Sequence, residues 1–298
     1  MSRPRVAILT VTTNAAAHLP AYFDALEQVT YPNWTLTVVD NGSSDGSADI
    51  AERRRPGATV LRNDENLGFT GACNRALREL RDDAGVDYVL FLNDDTEVTP
   101  GFLEPLVAFA DAHTLVAPKT YLAGREGILD DAAGDFDWWR GAWKRRVLGR
   151  QEGPEDNRPR EIDTANLSCL LVPRQAFHAA GLLDDAFFVY YDDTDFCRRA
   201  AEAGYRIIYE PHGVVFHQKG ATLGGQLSPF GCYYLSRNRP YLMRKHLSLP
   251  RFAVFWTYYL GTRSARIALW LARGRTDLAG ATLAGMRDFL LNRMGRRR

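Results

Sequence analysis

The chain has 298 residues, 46% of them hydrophobic and 24% charged, with a formal net charge of +1. Such a chain buries one large core or two smaller ones, which excludes a disordered protein. Its four cysteines, Cys73, Cys169, Cys197 and Cys232, stand too far apart for a disulfide framework or a zinc knuckle, so reduced and mostly buried thiols are expected.

The N-terminal MSRPRVAILTVTTN turns polar too early for a secretory signal, and no apolar run reaches membrane-spanning length, so a cytoplasmic protein is expected. The near-zero charge hides a split. From Arg237 onward there are 14 Lys and Arg against two acids, a net +12, whereas the preceding segment has 23 bases against 34 acids, a net −11.

RVAILTVTTN reads as a β-branched strand, and Leu19, Tyr22, Phe23 and Leu26 after it recur at helical spacing. WTLTVVDNGSSDGS repeats the pattern of strand, acidic end and turn, with Ser47 as the expected N-cap of the next helix. ATVLRNDENLGFTGACNRALREL supplies a third strand, a loop and a third helix, and VDYVLFLNDD a fourth strand. Residues 124–160 show no sustained period and read as a long functional loop holding Trp138, Trp139 and Trp143. Order returns with a strand at 168–172, a short helix, an aromatic run, a helix at 194–203 and a last strand pair ending near His217. This alternation predicts an α/β fold with a doubly wound, mostly parallel sheet, whose ligands sit at the carboxyl ends of the strands. Asp40, Asn66, Asp94 and Asp95 fall there.

Adjacent carboxylates at a strand end repel one another unless a cation is shared. A hard dication, Mg²⁺ or Mn²⁺, takes oxygen ligands and keeps phosphate oxygens and water in its remaining positions. The same acids also fit a plain helix cap. Asp192-Asp193-Thr194-Asp195 fits a capping cluster in which Asp195 serves the helix, and an isolated His217 fits a hydrogen-bonded core histidine.

Taken in order, VTTN (11–14), VVDNGSSDGS (38–47), NLGFTGACN (66–74), FLNDD (91–95), GLLDDAFFVYYDDTDFCRRAAEAGYRI (181–207) and VVFHQKGAT (214–222) resemble the family 2 glycosyltransferases, particularly the bacterial rhamnosyltransferase branch. The resemblance covers residues 5–245. It implies a GT-A fold and inverting transfer of a sugar, rhamnose among the candidates, from a dTDP or UDP donor to a glycan or lipid-linked acceptor. It implies that Asp40, with Thr12 beside it, holds the base or ribose, and that Asn66, Gly68 and Asn74 lie near the nucleotide and sugar. Asp94 then serves the ribose, Asp95 and His217 ligate Mg²⁺ or Mn²⁺, and Asp193 is the general base. The chain departs from the family pattern at Ala165-Asn166-Leu167-Ser168, where a glycine is usual, and at Asp192, where a glutamate is usual. The rival readings are a nucleotidyltransferase and a nucleotide-sugar-binding protein with a degenerate site.

The expected organisation is a catalytic domain at 1–236, with a nucleotide half at 1–120 and an acceptor half at 121–236, followed by a basic amphipathic helical extension at 237–298. In that extension Phe252, Phe255, Trp256 and Tyr259, then Ile267, Trp270 and Leu271, form apolar stripes interleaved with Arg263, Arg266, Arg273 and Arg275. Such helices lie on an anionic membrane surface, which places the protein at the inner face of the cell membrane. The same stripes also fit the catalytic domain or a second subunit in a homodimer. No nucleic-acid motif accompanies the charge, so nucleic acid is excluded as a partner.

Overall fold

The structure, a computed structural model, describes residues 3–130, 133–144, 147–218 and 227–297. The first half alternates as expected: β1 (Val6–Thr12), α1 (Leu19–Glu27), β2 (Trp34–Asp40), α2 (Ser47–Arg54), β3 (Thr59–Arg62), α3 (Gly68–Leu80) and β4 (Tyr88–Leu92). Then come β5 (Thr96–Val98), α4 (Leu103–Phe109), β6 (Thr114–Leu122) and β7 (Arg125–Leu129). Five two-residue strands follow: β8 (Ala133–Gly134), β9 (Phe136–Asp137), β10 (Ala142–Trp143), β11 (Arg160–Glu161) and β12 (Thr164–Ala165). The chain continues through β13 (Cys169–Pro173), α5 (Ala176–Ala179), α6 (Asp192–Glu202) and β14 (Arg206–His217). It closes with α7 (Pro229–His246), α8 (Leu249–Ala272) and α9 (Thr276–Leu290).

The central sheet runs β11-β14-β6-β13-β4-β1-β2-β3. Strands β4, β1, β2 and β3 are parallel, while β13 enters antiparallel between β4 and β6. Strand alternation sorts the two cores: Val6 and Ile8 pack with α1 and α4 on one face, Ala7 and Leu9 with α3 and α6 on the other. The chain leaves β1 toward β2 on one side and reaches β4 on the other, so a crevice opens at their carboxyl ends.

Several local expectations change. Gly46, in the left-handed region, precedes α2, and Ser47 is the first helical residue, its Oγ accepting from the Ala15 N–H. In place of a last strand pair there is one twelve-residue strand, β14, with a register shift between Glu210 and Val214. The 124–160 region is not a bare loop, because β7 extends the sheet and β9 pairs with β10. All four cysteines are buried and none forms a disulfide.

The position 236/237, drawn from charge alone, falls inside the continuous helix α7. Much of the tail's aromatic stripe faces inward. Phe255 and Tyr259 pack with Leu242, Met243, Phe136 and Phe187, and Trp270 packs with Tyr233, Tyr234 and Phe188. The outward side of α8 instead presents Leu249, Val254, Tyr258, Leu260, Leu269 and Leu271. Among the described residues no helix is long and apolar enough to cross a membrane.

Candidate active site

Thr12 and Asp40 are register partners at the ends of β1 and β2. Both are buried, and among the described residues Thr12 Oγ1 and Asp40 Oδ1 have no hydrogen-bond partner, while Asp40 Oδ2 accepts from the Ser43 N–H at 3.3 Å. A buried acceptor and a buried hydroxyl left open side by side carry a desolvation cost that a ligand removes.

Asp94 and Asp95 follow β4 after the single residue Asn93. The antiparallel pairing of β5 with β14 sets His217 opposite Thr96 and so brings it beside Asp95. His217 Nε2 lies 3.3 Å from Asp95 Oδ1, and both side chains are 12% exposed. The other ring nitrogen, Nδ1, donates to Asp130 Oδ2 at 2.8 Å. Burial pushes the His217 pKa down, but the two carboxylates overcome it and raise it to about 9. Asp95 Oδ1 is itself buried, with His217 Nε2 beside it.

This donor set suits a hard divalent cation. Two cis ligands of an octahedral ion lie roughly 3 Å apart, close to the Asp95–His217 separation, and a carboxylate behind the histidine is the usual orienting partner. Among the described residues no group of three or more His, Cys, Asp or Glu side chains is arranged to hold a metal. A hard dication held by two protein ligands would take its other ligands from phosphate oxygens and water. Residues 219–222, the end of the last quoted motif, lie outside the described residues.

Asp94 meets a residue that carried no expected role. His18, just before α1, places Nε2 3.7 Å from Asp94 Oδ1, and that carboxylate raises the His18 pKa against the opposing effect of burial. Asp130 was also missed. It follows β7 near the start of the aperiodic 124–160 stretch, and the only local signal is its neighbour Asp131.

Other expected residues have structural partners. Asn66 Oδ1 accepts from the Gly68 N–H and from Asn41 Nδ2. Asn74 is engaged on both polar atoms, donating to Leu183 O and Asp185 Oδ1 and accepting from the Leu183 N–H, so its amide ties α3 to the 183–185 loop. Gly68 has φ +76°, and a Cβ there would meet Phe188 Cδ2 at 2.4 Å. Phe188 thus lies directly on the 66–69 loop, and its carbonyl accepts from the Phe69 N–H.

Asp193 begins α6 together with Asp192. Its Oδ1 accepts from the Thr194 N–H and hydroxyl, while the residue keeps partial contact with solvent. Burial pushes the Asp193 carboxyl up to about 6, and burial plus Asp193 push Asp192 well above the usual range. Asp195 does not cap the helix. Burial pushes its carboxyl up, but His246 at 2.8 Å, Arg199 at 2.9 Å and Lys245 at 2.8 Å overcome that and hold it at about 2. Asp184 anchors the loop through Tyr241 and Lys245. Of the tryptophans, Trp138 packs edge-on to Phe136 beneath Arg198, whereas Trp139 is 60% exposed beside Arg251.

Comparison with known proteins places these features in context. The profile of Glycosyl transferase family 2 matches residues 7–188, more than half of the chain. An N-acetylglucosaminyl-diphospho-decaprenol L-rhamnosyltransferase of Mycobacterium tuberculosis is 27% identical over 273 residues, covering 84% of this chain and 88% of that protein. A low-salt glycan biosynthesis hexosyltransferase of Haloferax volcanii is 27% identical over 146 residues, 48% of this chain and 46% of that one. Among solved structures, GalNAc-T7 with UDP, GalNAc and Mn²⁺ superposes with a TM-score of 0.66 at 15% identity, covering 98% of this chain and 57% of its own. A mannosyltransferase from Pyrobaculum calidifontis in complex with GDP-Man and Mn²⁺ superposes with a TM-score of 0.58 at 17% identity, covering 98% and 89%. The chain belongs to glycosyl transferase family 2 and has the GT-A fold.

Proposed function

We propose that the protein is a metal-dependent, inverting glycosyltransferase that moves a sugar, rhamnose first among the candidates, from a nucleoside-diphosphate sugar onto a lipid-linked glycan acceptor. The observation that carries this reading is the approach of His217 Nε2 to the buried Asp95 Oδ1 at the carboxyl end of the sheet, backed by Asp130. The named relative that uses a diphospho-decaprenol acceptor supports the acceptor class, and the two Mn²⁺-bound structures support the cation.

In this reading Thr12 and Asp40 receive the nucleoside and Asp94, braced by His18, receives the ribose. Asp95 and His217 hold the dication, which when bound supplies Lewis-acid stabilisation of the departing diphosphate. Asp193 takes the proton of the acceptor hydroxyl. The acceptor oxygen then bonds to the anomeric carbon from the face opposite the leaving group, the bond to the diphosphate oxygen breaks with its electron pair, and the configuration inverts. A carboxyl near pKa 6 is well matched to a base working near neutral pH.

The organisation accompanying this reading is a catalytic unit with a basic helical extension that rests on an anionic bilayer. Between Leu249 and Ala272 the only charged residues are Arg251, Arg263 and Arg266, and the exposed Val254, Tyr258, Leu260, Leu269 and Leu271 have no acid among them. Such a face suits interfacial burial with basic residues toward anionic headgroups, close to where a lipid-linked acceptor resides.

A thermal-shift panel of UDP-, dTDP- and GDP-sugars with and without MnCl₂ tests the donor and the cation together. Stabilisation by one nucleotide class only when manganese is present is expected. Equal shifts without metal, or none with any donor, remove the metal-dependent reading.

A further inference from the structure

Three of the six residues before the DDTD cluster adopt a backbone that side chains of their size avoid. Phe188, Tyr190 and Tyr191 have φ of +65°, +66° and +69°, in the left-handed region normally left to glycine or asparagine. Three bulky residues of this kind within four positions persist only where surrounding contacts over-determine the conformation.

Those contacts come largely from α7. Arg237 and Asn238 are both 0% exposed. The Asn238 amide nitrogen faces three carbonyls, Phe187 O at 2.9 Å, Val189 O at 2.7 Å and Tyr190 O at 3.1 Å. Its Oδ1 accepts from Arg237 Nε at 2.9 Å, which fixes the amide so that the nitrogen must point at the loop. Arg237 Nη2 donates to Ala186 O at 3.1 Å and Phe187 O at 2.9 Å, and the guanidinium lies 4.8 Å from the Tyr234 ring centroid. The remaining carbonyls are also taken, Phe188 O by the Phe69 N–H and Tyr191 O by the Asp195 N–H of α6. Every carbonyl from Ala186 to Tyr191 therefore has a donor, and four of the six are held by these two adjacent side chains.

We propose that Arg237 and Asn238 are positioning residues for the reaction: they hold the 186–191 segment in the one backbone path that delivers Asp193 to the acceptor, making α7 part of the catalytic unit. This rests on the reading of Asp193 as the base. A planar guanidinium fork and a primary amide are the side chains that reach several convergent carbonyls from one helical turn. A hydrophobic residue at 238 would leave the buried Val189 and Tyr190 carbonyls without donors. One at 237 would remove the donor that orients the Asn238 amide and leave Ala186 O to the Gly295 N–H and Phe187 O to Asn238 alone. Either change releases the left-handed residues to relax. Because the loop is pinned to Gly68 and Phe69 on its other side, that relaxation moves the base relative to the donor and leaves the donor pocket in place.

The experiment compares wild type with Asn238→Ala, and with Arg237→Lys, which keeps the cation but loses the fork and carries the same readouts if Asn238→Ala does not fold. Amide hydrogen exchange across 184–194, dTDP affinity in the presence of MnCl₂, and turnover of dTDP-rhamnose onto an N-acetylglucosaminyl-diphospho-polyprenol are measured. Expected are faster exchange confined to 184–194, nearly unchanged Mn²⁺–dTDP affinity and donor KM, and kcat lower by about 100-fold, the scale of a small misplacement of a reacting group. Unchanged exchange across 184–194 overturns the proposal, as does a variant that loses nucleotide affinity in step with kcat, which is the mark of a general scaffold role. If wild type turns over none of this donor, the donor reading fails by itself, and the exchange comparison still decides whether the two side chains hold the loop.

Discussion

His217 donates its Nδ1–H to Asp130 Oδ2 over 2.8 Å, and the Asp130 side chain has no exposed surface. This contact fixes the ring so that Nε2 is presented to Asp95. Removing it with Asp130→Asn should leave the fold intact and weaken Mn²⁺ binding by about 10- to 100-fold, the usual effect of losing the carboxylate behind a ligating histidine. Manganese EPR titration in the absence of donor reads this directly, and unchanged affinity would show that Asp130 does not orient the ligand.

Asp193 leads to a prediction in both mutation and pH. Asp193→Asn should lower turnover by roughly 10²- to 10⁴-fold while preserving nucleotide affinity, since a general base acts on the acceptor. The base works unprotonated, and burial raises its pKa to about 6. Activity should therefore be full above pH 7 and fall about tenfold per pH unit below 6. A profile flat down to pH 5 would remove Asp193 from this role.

Asp195, whose pKa shifts in the opposite direction, carries a stability prediction. Its folded pKa of about 2 lies below the ordinary 3.8, so the stabilisation is present above pH 4 and is lost as pH falls through 4 toward 2. A depression of that size corresponds to roughly 2 kcal/mol for this unexposed side chain. Asp195→Ala leaves Arg199, Lys245 and His246 without their common partner and should cost about 3–5 kcal/mol. Urea denaturation at neutral pH measures it, and a loss well under 1 kcal/mol would show that the cluster contributes little.

Gly68 cannot accept a side chain. Its φ of +76° and the 2.4 Å approach of a Cβ to Phe188 mean that Gly68→Ala must displace the 186–191 segment. Both melting temperature and turnover should fall, with turnover falling further because the displaced segment leads into Asp193. Wild-type kinetics in this variant would mean that the segment tolerates movement.

The outer face of α8 yields a membrane prediction. The protein should sediment with phosphatidylglycerol vesicles at low salt and not with phosphatidylcholine vesicles, and V254S/L260S/L271S should abolish this while leaving nucleotide affinity unchanged. Absence of sedimentation with either vesicle would point to a protein partner for this face.

What the sequence determined by itself was local. Alternating apolar strands and helical stripes announce the α/β sheet, and Asp40, Asp94 and Asp95 at strand ends announce the side on which ligands enter. Both signals lie within a few consecutive residues and need no knowledge of neighbours. Everything that depended on which segments meet was left to the tertiary structure. Asp130 reaches His217 across 87 residues, and Asn238 reaches Phe187 across 51. No periodicity encodes such partners, because they follow from strand register and helix packing. The same reason explains the tail: its sequence specified an amphipathic helix, but only packing against Phe136, Phe187 and the other helices decided that Phe255 and Tyr259 turn inward and Val254 and Leu260 outward.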